Sequence, residues 1–428
     1  MKMLSEIPAR IRNGTAVVSV IGAGRVGLPL CIVLARSGIR VIAVDVDEQR
    51  TASIAEGKMP FYYPAMAGWL DLIVRNKMLT ASTSTSDSFK QSDIIIVTVG
   101  TPTGNQYQLD YSQLYSAIRE LLLVDLRHKA ILLRSTSVPG TMKSIVLPML
   151  TKETGLQLGR DFALAVCPER ILEGQAHREL YELPEIVGAE DDASAEIAAE
   201  LFRKINPTKK ILVTTPTGAE LAKLFTNVFR YVNFALANEF AIWAEKYGED
   251  AHEIVRIANE GYGRAKIPKP GLAGGPCLGK DGFLLDNGTT FSSIVSTAWK
   301  LNEAVPQHIV QSLSGPLGPL YKLKISVLGL AFKAGSDDIR LSPSAKLVDI
   351  LRAYGAEVVI HDPHVKGTQT LGAALARPDA VILATNHPEF ECLAPTIDES
   401  GARIIYDVWG MFRQSDFKKT TYMKFGKA

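Results

Sequence analysis

The sequence predicts an α/β protein of two doubly wound domains joined by a long central helical region. Three observations predict it. Short apolar runs of the buried-strand type alternate with helical segments through the first 213 residues. A stretch with no proline then runs from Thr217 to Gly248. Beyond it the α/β alternation returns, and Gly355 to Asp362 repeats the spacing of Gly38 to Asp45, each across an apolar strand. At 428 residues the chain exceeds one ordinary core, so two or three domains are expected.

Residues 16–21, AVVSVI, form the first apolar run. Gly22, Gly24 and Gly27 follow in G-x-G-x-x-G, and then LPLCIVLARSG reads as an apolar helix that Gly38 stops. VIAVD supplies a second strand ending at Asp45. This strand–turn–helix–strand context is what a dinucleotide fingerprint requires, so the unit is Rossmann-like. The glycines admit a pyrophosphate to the helix N-terminus, where free N–H groups and the helix dipole favour an anion. Asp45 would accept hydrogen bonds from ribose hydroxyls and repel a 2′-phosphate, which favours NAD over NADP. Arg50 is a counter-signal, because a basic residue just past the acid can hold a phosphate. Cys31, inside the apolar helix, reads as a small core residue.

Later runs also end at polar residues, as suits the carboxyl edge of a doubly wound sheet where ligands bind. SDIIIVTVGTPT ends in Thr101, Pro102 and Thr103, and AILLRSTSVPGTM reaches Ser135 and Thr136. DFALAVCPERILEG carries Glu169 and Glu173 just past its strand. Paired carboxylates beside a dinucleotide site are candidates for proton work. The alternative is a solvated helix start. Cys167 before Pro168 reads as structural.

In the long central stretch, Lys223, Asn227 and Arg230 fall at i, i+4 and i+7 on one helix face. That face presents a cation and an amide to a substrate, or it is a solvated stripe. The helix is longer than usual for a globular protein, which suggests a domain connector and a subunit contact. Downstream, GGPCLGKD sets Cys277 behind Gly274, Gly275 and Pro276 and ahead of Lys280 and Asp281. Small residues let a backbone approach a ligand closely. Lys280 would favour the reactive thiolate, and Asp281 would manage a water. The alternative is a free cysteine in a glycine-rich turn.

The last third runs from KISVLGLAFK through SDDIRLSPSAKLVDILRAYG to AEVVIHDP. It lacks G-x-G-x-x-G and carries an inserted loop with Lys333, Asp337, Asp338 and Arg340. It is therefore expected to bind something other than the fingerprint's ligand. His361 and His364 in HDPH read as turn residues, and no metal site is expected.

Hydrophobic residues make up 46%, charged residues 21%, and the net charge is +2. That profile is globular and points to neither nucleic acid nor an anionic membrane as the main partner. Cys31, Cys167, Cys277 and Cys392 form no C-x-x-C pair, which argues against a zinc site or disulfide framework and for a reducing compartment. No apolar segment follows MKMLSEIPARIRNG, and no long apolar run occurs, so neither signal peptide nor membrane span is expected.

The order G-x-G-x-x-G, TPT, STSVPGT, CPERILEG, ELAKLFTN, GGPCLGKD, GLAFK-x₃-DD-x-R resembles the nucleotide-sugar 6-dehydrogenase family across nearly the whole chain. That family includes UDP-glucose, GDP-mannose and UDP-N-acetylhexosamine dehydrogenases. The resemblance implies an NAD-binding Rossmann domain over residues 1–213. It implies a central helical dimerisation and catalytic region over 214–312 and a UDP-sugar-binding α/β domain over 313–428. It further implies a cytoplasmic homodimer serving polysaccharide biosynthesis. Its reaction would be two successive NAD-dependent oxidations that turn a sugar C6 alcohol into a uronic acid.

The chemistry makes sense of the residues. A second hydride leaves an aldehyde only after a nucleophile has added. A thiolate at Cys277 would give a thiohemiacetal and then a thioester, which water hydrolyses. Lys223 and Asn227 would stabilise the oxyanion. By resemblance, Glu169, Thr136 and Asp281 handle protons and water. Gly22, Gly24, Arg25, Val26, Gly27, Asp45, Arg50, Thr101, Thr103, Ser135, Thr136, Glu173 and Arg340 are the candidate cofactor residues. Lys333 resembles the lysine that contacts the sugar nucleotide, with Glu169, Arg170, Lys223, Asn227, Arg230, Gly271, Gly274 and Phe332 as its candidate neighbours. Arg264 resembles the arginine that crosses from a partner subunit.

Departures bear on the sugar. UDP-glucose dehydrogenases usually read NPEFLREG where this chain reads CPERILEG, and NVFRYVNFALANE is similar to the N-acetylhexosamine branch. GPCLGKD keeps the Lys-Asp of the glucose and mannose enzymes. A UDP-N-acetylhexosamine is the expected substrate, with UDP-glucose as the alternative. Two rival classes are a 3-hydroxyacid or 6-phosphogluconate type of dehydrogenase, which needs no cysteine, and a non-catalytic sugar-nucleotide sensor.

Overall fold

The computed structural model describes residues 3–102, 110–285 and 293–427. The chain divides into two compact units, Met1–Phe225 and Thr226–Ala428. In the first unit the strands are β1 (Val17–Ile21), β2 (Arg40–Val44), β3 (Leu79–Ser82), β4 (Ile94–Val97), β5 (Ala130–Leu133), β6 (Ala163–Val166), β7 (Glu185–Ala189) and β8 (Ile211–Thr214). They form one sheet in the order β3-β2-β1-β4-β5-β6-β7-β8. Among the described residues, only the β6–β7 pairing of this sheet is antiparallel. β4, β5 and β6 are buried throughout, as the near-continuous apolar runs IIIV, AILL and ALAV require of strands covered on both faces.

β1 pairs with β2 on one side, Val17 opposite Arg40, and with β4 on the other, Val18 opposite Ile94. The chain therefore leaves β1 to one side and returns on the other, which opens a crevice at the carboxyl end of β1. The helix Gly27–Arg36 follows β1 directly and is buried from Gly27 to Ala35. Its apolar surface goes into a core with Val18, Val20, Ile94, Ile96 and Leu132.

The helix Pro216–Tyr247 is the long central element, and the division between the units falls within it. In the second unit the strands are β9 (Lys324–Leu328), β10 (Glu357–His361), β11 (Ala380–Leu383), β12 (Ile404–Asp407) and β13 (Thr421–Lys424). They form a parallel sheet in the order β10-β9-β11-β12-β13. β9 lies between β10 and β11, so this sheet too has its topological switch at the first strand. Val305, Ile309, Val310 and Leu313 of the helix Ser293–Leu317 join Ile325, Val327, Leu347 and Ile382 in its core. The helix Pro343–Ala353 begins with proline at its first position, and the Ser342 hydroxyl accepts from the Ser344 and Ala345 amides. The architecture is the expected one of two doubly wound Rossmann-like sheets and a helical region.

Candidate active site

At the carboxyl end of β1 the backbone turns at Gly22, whose φ of +93° is a left-handed value that side chains disfavour. A Cβ at Gly27 would stand 1.9 Å from the Gly22 carbonyl oxygen, so the helix can start this close to the strand only with glycine there. Thr98, which the sequence reading passed over, donates its hydroxyl to the carbonyls of Ile21 and Gly22 and holds the turn in place. A Cβ at Gly24 would meet nothing within 4 Å. The loop thus presents bare backbone and the N-terminus of the helix to open space, with Arg25 and Val26 on its rim. The Arg25 guanidinium lies 2.8 Å from a Glu173 oxygen, which brings Glu173 to the glycine loop.

Asp45 follows β2 and is 7% exposed. One of its oxygens accepts from the Asp47 amide at 3.0 Å and from Arg50 at 2.7 Å. Arg50 also pairs with Asp47 at 3.2 Å. The counter-signal is thereby reduced, since the Arg50 charge is already held by two carboxylates. At the ends of β4 and β5, Thr101 donates its hydroxyl to the Thr136 carbonyl and Ser135 donates to the Val99 carbonyl. Thr103 lies outside the described residues.

Glu169 and Glu173 meet different arginines. Glu173 goes to Arg25, whereas Glu169 is 9% exposed and accepts from Arg134, which is 2% exposed on its side chain. Arg134 Nε and Nη2 each lie 2.8 Å from one Glu169 oxygen. The Arg170 and Ile171 amides donate to the other at 2.7 and 2.8 Å. Every one of these contacts is a donor to Glu169, and together they fix its side chain in place. The Arg170 side chain in turn donates to the Pro184 carbonyl. Arg134 Nη1 donates to Glu185 at 2.7 Å and to the Cys167 carbonyl at 3.1 Å. Burial pushes the Glu185 carboxyl up against the pull of Arg134, and burial pushes the nearby Lys209 ammonium down. The thiols of Cys167 and Cys31 are driven far up by burial, which leaves them inert.

On the long helix, Lys223 is 5% exposed and Glu220 is 3% exposed. Glu220 accepts from the amides of Gly140 and Met142 and from the Ser137 hydroxyl. It ties the helix that carries Lys223 to the loop that follows Thr136, although burial raises its carboxyl. Asn227, farther along the same helix, donates to an Asp281 oxygen at 2.7 Å. Arg230 is exposed. The face is thus a graded one, buried at Lys223 and open at Arg230, and not a solvated stripe along its length.

Cys277 is exposed and immediately precedes the helix Leu278–Leu285, its carbonyl accepting from the Asp281 amide at 3.1 Å. The free amides and dipole of a helix N-terminus favour negative charge at such a position. Lys280 lies 3.4 Å from an Asp281 oxygen and both are buried, so its charge is shared with that carboxylate. The loop before the cysteine is packed too tightly for side chains. At Gly275, with φ +98°, a Cβ would lie 2.6 Å from the Phe332 ring. At Gly274 it would meet Pro343 at 2.5 Å, and at Gly271 it would meet the Trp409 ring at 2.6 Å. The Gly271 amide donates to Asn238 at 2.8 Å, and Asn238 is tied to Asn302. Arg264 is exposed, its guanidinium 4.9 Å from the Tyr262 ring centre.

Phe332 and Lys333 belong to the loop after β9. Within that loop Arg340 forks onto Asp338, with Nε at 3.0 Å and Nη2 at 2.6 Å. Asp362, the counterpart of Asp45, turns toward this loop and accepts from the Leu330 and Ala331 amides. Burial raises its carboxyl, but hydrogen bonds from His387 and these amides outweigh that and hold it well below the ordinary range. His364, His387 and Glu389 place possible ligand atoms within 4.8 Å of one another. Both ring nitrogens of His387 are already committed, one to Asp362 and one to the Gly335 amide.

The fold and the site define a dinucleotide-dependent oxidoreductase whose second unit presents an accessible cysteine. The chain matches the UDP-glucose/GDP-mannose dehydrogenase family in all three of its domains. These are the NAD binding domain over residues 16–206, the central domain over 217–304 and the UDP binding domain over 326–414. It belongs to that family and is an NAD-dependent nucleotide-sugar dehydrogenase. It is 35% identical to the UDP-N-acetyl-D-mannosamine dehydrogenase of Pyrococcus horikoshii over 87% of this chain and 90% of that one. It is 30% identical to the NDP-N-acetyl-D-galactosaminuronic acid dehydrogenase of Ralstonia nicotianae over 92% and 96%. A solved structure of UDP-D-ManNAc dehydrogenase from P. horikoshii superposes with a TM-score of 0.89 at 33% identity, covering 96% of this chain and 99% of that one. The open glycine loop and the acid after β2 fit the NAD that the family uses. Among the described residues, no helix is long and apolar enough to cross a membrane.

Proposed function

We propose that this enzyme oxidises the C6 alcohol of a UDP-N-acetylhexosamine to the carboxylate in two steps through a thioester on Cys277. The observation that carries the chemistry is Cys277 itself, exposed at the start of a helix on a loop that only glycine permits, with Asp281 one turn on. The β1 loop and Asp45 would hold NAD, which when bound would supply the hydride acceptor for each oxidation. The alcohol proton leaves through the Thr136 and Glu169 region. The thiolate then adds to the aldehyde carbon, and Lys223 with Asn227 stabilises the oxyanion that forms. Loss of the second hydride leaves a thioester. Water oriented by Asp281 cleaves it, releasing the carboxylate and restoring the thiol. One alcohol, one water and two NAD give one carboxylate, two NADH and three protons.

The sugar assignment is supported by CPERILEG and NVFRYVNFALANE and by the substrates named for the relatives above. The Lys280–Asp281 pair favours UDP-glucose as a second reading. The remaining candidate contacts are Arg25, Val26, Glu173 and Arg340 to the cofactor, and Arg170, Arg230, Gly271, Gly274, Phe332 and Lys333 to the substrate. We also retain the division 1–213, 214–312 and 313–428 and a cytoplasmic homodimer. The dimer is supported by Phe225, Phe229, Trp243 and Tyr247, large exposed residues on the long helix that want a partner surface. Arg264 would then serve the partner's site. Mixing Arg264→Ala with Cys277→Ser subunits restores activity if sites are shared, and a monomer by sedimentation rejects the dimer.

The decisive test is NADH yield across UDP-N-acetylmannosamine, UDP-N-acetylglucosamine, UDP-N-acetylgalactosamine, UDP-glucose and GDP-mannose. Two NADH per sugar with an N-acetylhexosamine is expected. UDP-glucose as the best substrate would replace the sugar and leave the chemistry. One NADH per sugar would reject the thioester, and binding without turnover would make the protein a sensor.

A further inference from the structure

The loop Gly329–Ser342 is held by its own bonds, the Phe332 amide donating to the Asp338 carbonyl at 3.0 Å, and by side chains from outside it. His387, two residues beyond Thr385 on the segment after β11, is 0% exposed. Its Nε2 lies 3.1 Å from Asp362 Oδ2, and its Nδ1 lies 3.2 Å from the Gly335 amide nitrogen. A carboxylate only accepts and a backbone N–H only donates. The ring therefore turns an N–H at Nε2 to the carboxylate and a lone pair at Nδ1 to the amide, which satisfies both ends. The ring packs edge-on against His364 at 4.9 Å and against Phe390 at 5.5 Å between centroids.

Asp362 takes the Ala331 amide at 3.0 Å while His387 takes the Gly335 amide at 3.2 Å. Between those two anchored amides lie Phe332, Lys333 and Ala334. Thr385 adds a bond from its hydroxyl to the Ala331 carbonyl at 2.7 Å. The anchored stretch is also the one against which Gly275 of the cysteine loop packs. An apolar aromatic would fill the same volume, yet this position has two nitrogens, both spent on the loop and its anchor.

We propose that His387 is a positioning residue for sugar-nucleotide binding, clamping with Asp362 the segment Phe332–Ala334 that carries Lys333. The inference rests on the reading of Lys333 as a sugar-nucleotide contact. Without the Gly335 bond the far end of the segment is released, and binding must then order it at an entropic cost.

The test compares His387→Phe, His387→Asn and His387→Gln with Lys333→Ala in the full chain. The probes are UDP by calorimetry and kcat and KM with the best UDP-sugar. The phenylalanine variant should weaken UDP and raise KM about tenfold, with kcat within about threefold of the parent. Asparagine, whose oxygen stands near the Nδ1 position and accepts from Gly335, should restore most of the affinity. Glutamine, which reaches Asp362 but leaves Gly335 unbonded, should not. A residue that merely filled the core would lower thermal stability and active fraction without moving KM. Parental UDP affinity in the phenylalanine variant overturns the proposal, as does equal weakening by asparagine and glutamine. The asparagine–glutamine contrast decides even if the phenylalanine variant fails to fold. If Lys333→Ala binds UDP normally, the reading of the loop fails and the proposal with it. If Lys333→Ala is weak but all His387 variants bind normally, only the proposal falls.

Discussion

Replacing Arg134 with methionine keeps the bulk of a buried stem and removes its fork. Arg134 is 2% exposed, and the two carboxylates it joins, Glu169 and Glu185, are 9% and 7% exposed on their side chains. Three of its N–H groups point at carboxylate oxygens within 2.8 Å. Removing one partner of such a buried group leaves uncompensated charge, at a cost of about 3–5 kcal/mol. For a unit of this size that corresponds to a melting temperature lower by about 10 °C. The pH dependence gives the sharper test. Burial already raises the Glu185 carboxyl, with Arg134 opposing. A carboxyl whose folded pKa stands above its unfolded value contributes its stability in the protonated state and loses it as pH rises through the folded value. Without Arg134 the rise grows, so Arg134→Met should be closest to the parent near pH 5 and fall away toward pH 8. Glu185→Gln, which retains a hydrogen-bond acceptor for Arg134, should cost about 1 kcal/mol or less, and adding it to Arg134→Met should recover part of the loss. Thermal unfolding by circular dichroism across this pH range measures all three variants, resolving the first unit's transition where the units melt separately. If Arg134→Met melts within about 2 °C of the parent at pH 8 and shows no acid recovery, the carboxylates do not depend on the arginine and the reasoning fails.

Other outcomes follow from the same contacts. Cys277→Ser should lower acid formation by about a thousandfold or more while UDP-sugar binding persists, and parental turnover measured by NADH release would remove the cysteine from the chemistry. Asp45→Ala should shift the NAD-to-NADP ratio of kcat/KM by about a hundredfold toward NADP, because it removes a repelling carboxylate and one of the two that hold Arg50. An unchanged ratio would mean that the acid after β2 does not select the cofactor. His252 has its pKa lowered to about 4, by burial first and then by Lys424. Its neutral form is thus the folded one. The stability it contributes is complete above about pH 6.5 and is lost as pH falls toward 4, about 3 kcal/mol in all. His252→Gln should flatten that acid limb in denaturant midpoints taken against pH, and an unaltered limb would assign it to other groups.

The sequence displayed what depends on local chemistry. β1, β4, β5 and β6 are apolar runs because strands of a covered parallel sheet are dry on both faces, so they could be read directly. The glycine fingerprint and the run before Cys277 were legible for a related reason: a bend or close approach that only glycine tolerates must be written as glycine. β3 and β8 were not legible. They are four residues each, β3 buried only at Leu79 and β8 largely exposed, so LTAS and ILVT carry little periodic signal. The antiparallel return at β7 could not be seen either, because strand direction is a property of the pairing and not of EIVGA.

The partners of charged groups were decided by the tertiary structure. Glu169 and Glu173 are close in sequence and looked like a pair, yet one is fixed by Arg134 and the other goes to Arg25. Arg134 had one local sign, a charge inside the apolar run AILLRSTS, but the run could not say that a carboxylate from the segment after β6 and another from β7 would meet it. Asp45 and Asp362 occupy equivalent places after equivalent strands. Asp45 accepts from its own following turn, whereas Asp362 gives one oxygen to its own turn and the other to the loop after β9, a difference set by which strands the sheet brings together. His387 carried no signal at all, since its two bonds reach across the sheet edge to residues far away in the chain. Backbone shape and apolar burial are encoded where they occur. A buried polar group is satisfied only by what the fold carries to it, and that is why those assignments had to wait for the structure.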